Sequence, residues 1–262
     1  MTARTPRASR PGNPKRLAAL AAGAFLLAGF IGLGVWQLER LTWKEALIAR
    51  VDARVHAPPI APPGPSDWPK ATAAADEYRH VSLGGAYLND RETLVQAVTE
   101  AGPGFWVMTP LRADAGYTVL INRGFVPQDH PAQAERRAGL IEGHTTVTGL
   151  VRISEPHGGF LRANDPAGDH WYSRDVAAIA RARGLTNAAP YFIDADATPN
   201  AGGWPLGGMT VINFPNSHLV YALTWFVMAA MTGAGLVWPV LQRARNRRRA
   251  DASSNAVHDA HE

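Results

Sequence analysis

The sequence predicts a membrane protein of the α+β class, with two transmembrane helices flanking a mainly antiparallel β domain that carries one or two helices. Three observations predict it. Two long runs contain no charged residue, and each is bordered on its outer side by Lys and Arg. Between them lie short β-branched and aromatic runs punctuated by Gly, Pro, Asn and Asp.

The first run covers residues 17–38, 22 positions without a charge. As a helix it is about 33 Å long, enough for a hydrocarbon core of about 30 Å. Arg4, Arg7, Arg10, Lys15 and Arg16 precede it. A cleaved signal also begins with a basic segment, but its apolar stretch is shorter, about 7–15 residues, and ends in a small-residue cleavage site. Here the run leads into Trp36-Gln37-Leu38-Glu39-Arg40. The expectation is a retained span, with residues 1–16 as a basic cytoplasmic tail.

Residues 39–217 are expected to form an extracytoplasmic, periplasmic domain. Leu41, Ala46, Leu47 and Val51, interspersed with charges, read as a helix leaving the membrane. It stops at a proline cluster within residues 57–69, read as a stiff linker. Strands are expected at residues 78–83, 93–98, 105–111, 117–126, 145–153, 190–194 and 209–214, which suits a small antiparallel sheet or barrel. A helix at residues 175–183 carries Val176, Ile179 and Ala180 on one face and ends at Gly184.

The second charge-free run covers residues 219–241 and is followed by Arg243, Arg245, Arg247, Arg248 and Arg249. Residues 242–262 are expected to form a second basic cytoplasmic tail, disordered in its last part. The formal charge of +4 resides in the two tails, because residues 39–217 sum to −3. Basic clusters beside membrane spans report topology and contact with anionic lipid headgroups, not a nucleic-acid partner.

The chain has no cysteine, which excludes disulfides, thiolate metal sites and a Cys nucleophile. It carries no phosphate-binding Gly-rich loop of the Walker type, no Gly-x-Ser-x-Gly elbow and no His-Glu-x-x-His. His157-Gly158-Gly159 reads as a turn, Asp194-Ala195-Asp196 as a solvated loop in preference to a divalent-metal site, and His56, His80, His130, His144 and His170 as surface imidazoles. No catalytic residue is assigned and the chain is read as a non-enzyme.

His218 stands apart because it opens the second span, with Tyr221, Ala222 and Trp225 at i+3, i+4 and i+7. All three ring types suit a membrane interface as anchors; a neutral imidazole at a span's edge is also a common axial ligand of haem iron. Small-residue stripes at Ala24, Ala28 and Gly32, and at Ala229 and Gly233, suggest that the two helices pack together.

Several segments, in order, resemble the surfeit locus protein 1 family of haem-copper oxidase assembly factors. They are Leu33-Gly34-Val35-Trp36-Gln37-Leu38-Glu39-Arg40, Val119-Leu120-Ile121-Asn122-Arg123-Gly124-Phe125-Val126-Pro127, Trp171-Tyr172-Ser173-Arg174-Asp175 with Tyr191-Phe192-Ile193-Asp194-Ala195, and Asn216-Ser217-His218 through Trp225. Some relatives have Arg where this chain has Pro215. The resemblance implies a membrane protein that binds haem a transiently and assists its insertion into the catalytic subunit of the oxidase, with haem a synthase as a further partner; the lack of a clear amphipathic transit peptide and the Arg- and Ala-rich composition favour a bacterial cell membrane over a mitochondrial inner membrane. An assembly chaperone that binds no haem is the alternative, and a membrane-tethered enzyme a more distant one. The resemblance implies His218 as ligand to the iron; the candidate cofactor-binding set is His218, Tyr221, Trp225, Trp36 and Arg123, where the Arg123 fork suits a propionate or an intradomain salt bridge and Trp36 equally suits an interfacial aromatic belt.

Overall fold

A computed structural model describes residues 14–159 and 161–259. The expected tail residues 1–13 and 260–262 lie outside the described residues. Long apolar helices at the two ends flank a mainly β domain with a few short helices. Two compact units result: the long helices up to Leu47 and from Phe214, and the β domain over Ile48–Asn213.

Helix α1 spans Pro14–Val55, and α4, the last helix, spans His218–Asp259. Both are long and apolar enough to cross a membrane, with mean hydropathy of 2.2 and 1.6 over their most apolar windows. Very little of either window is buried, so neither is the core helix of a soluble fold. The helix runs through the arginine cluster to Asp259, where the sequence suggested a disordered tail. Ala, Arg and Gln are good helix formers and no glycine interrupts them after Gly235.

The two helices are antiparallel and meet along a seam. Leu236 packs on Gly23, Gly233 on Leu27 and Phe226 on Gly34, so contacts descend one helix as they ascend the other. On α1 the less exposed positions are Gly23, Leu27, Phe30, Gly34, Gln37, Leu41 and Lys44. On α4 they include His218, Ala222, Trp225, Ala229, Thr232 and Leu236. Both series alternate steps of four and three, the seven-residue spacing of supercoiled helices. The stripe expected at Ala24, Ala28 and Gly32 is therefore corrected. These residues are exposed, and nothing lies within 4 Å of a side chain built on Gly32. Ala229 on α4 is buried in the seam.

In the β domain, six strands form one sheet in the order β1-β5-β6-β4-β3-β2, and β1 also pairs with β3. The strands are β1 His80–Tyr87, β2 Thr93–Thr99, β3 Gly102–Ala113, β4 Thr118–Pro127, β5 His144–Ile153 and β6 Ala188–Ala195. The β1–β3 pairing closes five strands into a barrel and leaves β2 attached to β3 alone. At the closure Gly85 opposes Ala113. A side chain there would collide with the Arg112 carbonyl, which explains glycine inside a strand.

Alternate residues point inward: Val81 and Leu83, Leu111 and Ala113, Val119 and Ile121, Val147 and Val151, Ala189, Tyr191 and Ile193. The other face of β4 and β6 presents Leu120 and Phe192 to a second cluster with Trp171, Val176 and Ile179. β4 is consequently buried on both faces, as the unbroken apolar character of Val119-Leu120-Ile121 requires. The helix at residues 175–183 forms as α3, Val176–Ala182, capped by the Asp175 carboxylate accepting from Ala178 N at 3.0 Å; the four-residue α2 is Ala73–Asp76.

The sheet is mainly antiparallel as expected, with one parallel pair, β6 beside β4. Two expectations change. Residues 209–214 form no ladder, because Gly207, Gly208 and Pro215 bracket them and their anchor is a side chain, Thr210 on Asp194. The proline-rich stretch is packed, not a free linker: Pro62 and Pro63 are buried. The Pro63 carbonyl accepts from Tyr191 Oη at 2.7 Å and Trp68 Nε1 at 3.1 Å. Lying outside any helix or ladder, the Pro63 carbonyl is available to both side chains.

Candidate functional site

In the helical unit, the side chain at the start of α4 is already engaged. His218 Nδ1 lies 2.7 Å from Gln37 Oε1. An amide oxygen only accepts, so Nδ1 carries the proton, and in the neutral ring it is then Nε2 that presents the lone pair. Gln37 is 9% exposed and belongs to the seam, one helical turn beyond Gly34. Apolar packing on both helices thus sets the height and rotation at which the amide meets the imidazole.

The sequence-derived partners of His218 divide. Trp225 is half-buried and stacks on Phe30, with ring centroids 5.8 Å apart and planes at 23°. Ala222 fills the seam between them. Tyr221 is 54% exposed and lies outside the seam, since i+3 from His218 falls on the other side of the contact line from i+4. Trp36 is 51% exposed, one position from Gln37 and turned outward. Trp43, further along, lies beneath Arg40, 4.4 Å from ring centroid to guanidinium. Gln37 is the partner that was not expected for His218. The signal was available: it is the one amide within an otherwise apolar run, at seam spacing from Phe30 and Gly34.

Arg123 lies in the other unit, on β4, and is 2% exposed. Its Nη2 donates to the Gly139 carbonyl and, at 3.0 Å, to Asn200 Oδ1. Its guanidinium stacks on Tyr87 at 4.9 Å, beside a cavity of about 240 Å³ lined by Thr146, Thr148 and Asn200. Burial draws the Arg123 pKa down from its ordinary value, partly offset by Tyr87 and Glu92, and pushes the Tyr87 phenol up to about 12. One arm of the guanidinium, Nη2, is engaged by a carbonyl and an amide of the loops around residues 139 and 200, while the buried Nη1 has no hydrogen-bond partner among the described residues.

The strongest electrostatic feature of the domain was not legible as such. Asp194 is buried, and its Oδ1 accepts from Asn122 at 2.8 Å and Arg174 at 3.1 Å. Its Oδ2 accepts from Arg152 at 3.1 Å and Thr210 at 2.9 Å. Four bonds saturate a carboxylate, which leaves Asp194 nothing to offer a metal ion. Arg174 also forks onto Glu155 at 3.0 and 2.6 Å. Burial opposes the Arg174 charge, but Glu155 and Asp194 outweigh it and hold its pKa above the ordinary value. His157 and Gly158 both have positive φ and form a turn, with Gly158 N donating to Ser173.

The SURF1 family model matches residues 24–230, from within α1 to within α4. The chain belongs to the SURF1 family. It is 38% identical to the human "Surfeit locus protein 1" over 218 residues, 77% of this chain and 70% of the human one. A SURF1-like protein of Monosiga brevicollis is 39% identical over 232 residues, covering 83% and 85%. One from Drosophila melanogaster is 33% identical over 80% of this chain. The matched region takes in Gln37, His218 and Trp225 with most of the seam, as well as Arg123 and Asp194, and so extends over parts of both units.

Proposed function

We propose that this SURF1-family protein is a non-enzymatic assembly factor for a haem-copper terminal oxidase. It holds haem a through His218 and helps deliver it to the catalytic subunit of the oxidase. Trp225 offers an aromatic wall, while Tyr221 and Trp36, exposed on the helices, face lipid or the client. The domain docks the client, and Arg123 acts within it as a scaffold. The protein resides in a bacterial cell membrane, both tails in the cytoplasm and the domain in the periplasm, with haem a synthase as a further partner; the outer arginine clusters support this orientation.

The carrying observation is the His218–Gln37 hydrogen bond of 2.7 Å, which in the neutral ring leaves the Nε2 lone pair available at a span's edge. The residues present fit the group: haem iron takes such an imidazole nitrogen as an axial ligand, and the macrocycle takes apolar and aromatic neighbours. When bound, haem supplies only its iron for ligation and its flat apolar surface for packing. A reduced-minus-oxidised spectrum of detergent-purified protein, co-produced with haem a synthesis, tests the reading. Haem absorption is expected in the wild type and lost in His218→Ala. No absorption in the wild type, with oxidase maturation intact in His218→Ala, favours a chaperone that binds the subunit alone.

A further inference from the structure

We infer that Gln37 is the positioning residue of this site: its amide oxygen fixes His218 in the Nδ1–H tautomer and aims Nε2 outward as the ligating atom. The inference rests on the reading of His218 as a ligand and adds to it a second helix. Three features carry it. The oxygen of Gln37, not a backbone carbonyl, is the partner of Nδ1, at 2.7 Å. Gln37 is 9% exposed, so water competes weakly for the bond. Neighbouring seam contacts, Phe226 against Gly34 and Trp225 against Phe30, hold the two helices in the register that brings the pair together.

A free imidazole interconverts between tautomers, and either nitrogen can be the donor. A ligand must have its coordinating nitrogen unprotonated, and the group bonded to the other nitrogen decides which one that is. Because Gln37 is on α1 and His218 on α4, the orientation of the ligand depends on the helices being packed. A lone span would leave the imidazole free to rotate and to exchange tautomers. The helix pair is thus part of the ligand, not only its anchor.

The test needs no haem. Full-length protein with ¹⁵N-labelled histidine is purified in detergent, and the ring resonances of His218 are assigned by their loss in His218→Ala. At one alkaline pH, where the ring is neutral, the wild type is expected to show a protonated Nδ1 and an unprotonated Nε2. In Gln37→Leu, which keeps an apolar seam, that preference is lost. In Gln37→Glu, which keeps an oxygen acceptor at the same reach, it is retained. A second arm measures haem a retained after co-production, expected to fall about 10-fold or more in Gln37→Leu and to recover in Gln37→Glu. A wild-type His218 protonated on Nε2, or a tautomer unchanged by Gln37→Leu, overturns the inference whatever the haem content. The Nδ1–H tautomer in a protein that takes up no haem upholds the positioning and overturns only the ligand reading.

Discussion

Asp194 is a carboxylate with every acceptor position filled, two of them by guanidinium groups. Removing one partner of such a buried ion network leaves charge without compensation, and the cost is larger than the net worth of the pairs. Asp194→Ala should lower the stability of the domain by about 3–5 kcal/mol, read by denaturant unfolding, with Asp194→Asn losing less because it keeps two hydrogen bonds. An effect no larger than that of an exposed substitution would mean that Arg152 and Arg174 find other partners. The sequence shows these residues as Arg-Ile-Ser-Glu and Ser-Arg-Asp fragments some twenty or more positions apart. Their convergence follows from strand pairing, Arg152 on β5 with the carboxylate on β6 and Asn122 opposite on β4, and pairing is a long-range property. His218 and Gln37 are an extreme case, separated by 181 positions.

At the scale of elements, α1 and α4 depend on close approach. A side chain built on Gly34 would begin 2.6 Å from the Phe226 ring, whereas one on Gly32 would meet nothing. Gly34→Leu should therefore cost the helix pair about 1–3 kcal/mol, seen as a lower melting temperature in detergent, while Gly32→Leu leaves it unchanged. Equal effects of the two would show that the seam lies elsewhere. Existence and type of most elements were legible, because strand alternation and charge-free length are local signals. Six of the expected strands formed near their expected positions, as did α3. The segment at 209–214 misled because β-branched residues favour extended backbone, which is necessary for a ladder but not sufficient. The seam on α1 was misread from small residues alone; the alternating four–three spacing that includes Leu27, Phe30 and Gln37 carries the information instead.

At the scale of the whole chain, the orientation proposed from charge can be tested cleanly because the protein has no cysteine. Val98, 86% exposed in the β domain, and Arg245, beyond the second apolar run, offer sites for single cysteines. A membrane-impermeant maleimide added to intact cells should label Val98→Cys, and reach Arg245→Cys only after lysis. The reverse pattern would place the domain in the cytoplasm and remove the periplasmic assignment.

The class of molecule is written in local pattern: two apolar helices with basic outer flanks, a β domain between them, and motifs specific enough to identify the family. Those properties are set by composition and short-range order, which a linear reading sees directly. Folding alone settles that five strands close through β1–β3, that β6 runs parallel to β4, that Pro63 accepts from Tyr191, and that Arg123 is buried. Only it decided that His218 meets Gln37. Each of these depends on which residues become neighbours after the chain has folded back on itself, and that outcome is chosen by packing and by the pairing of buried polar groups across long separations.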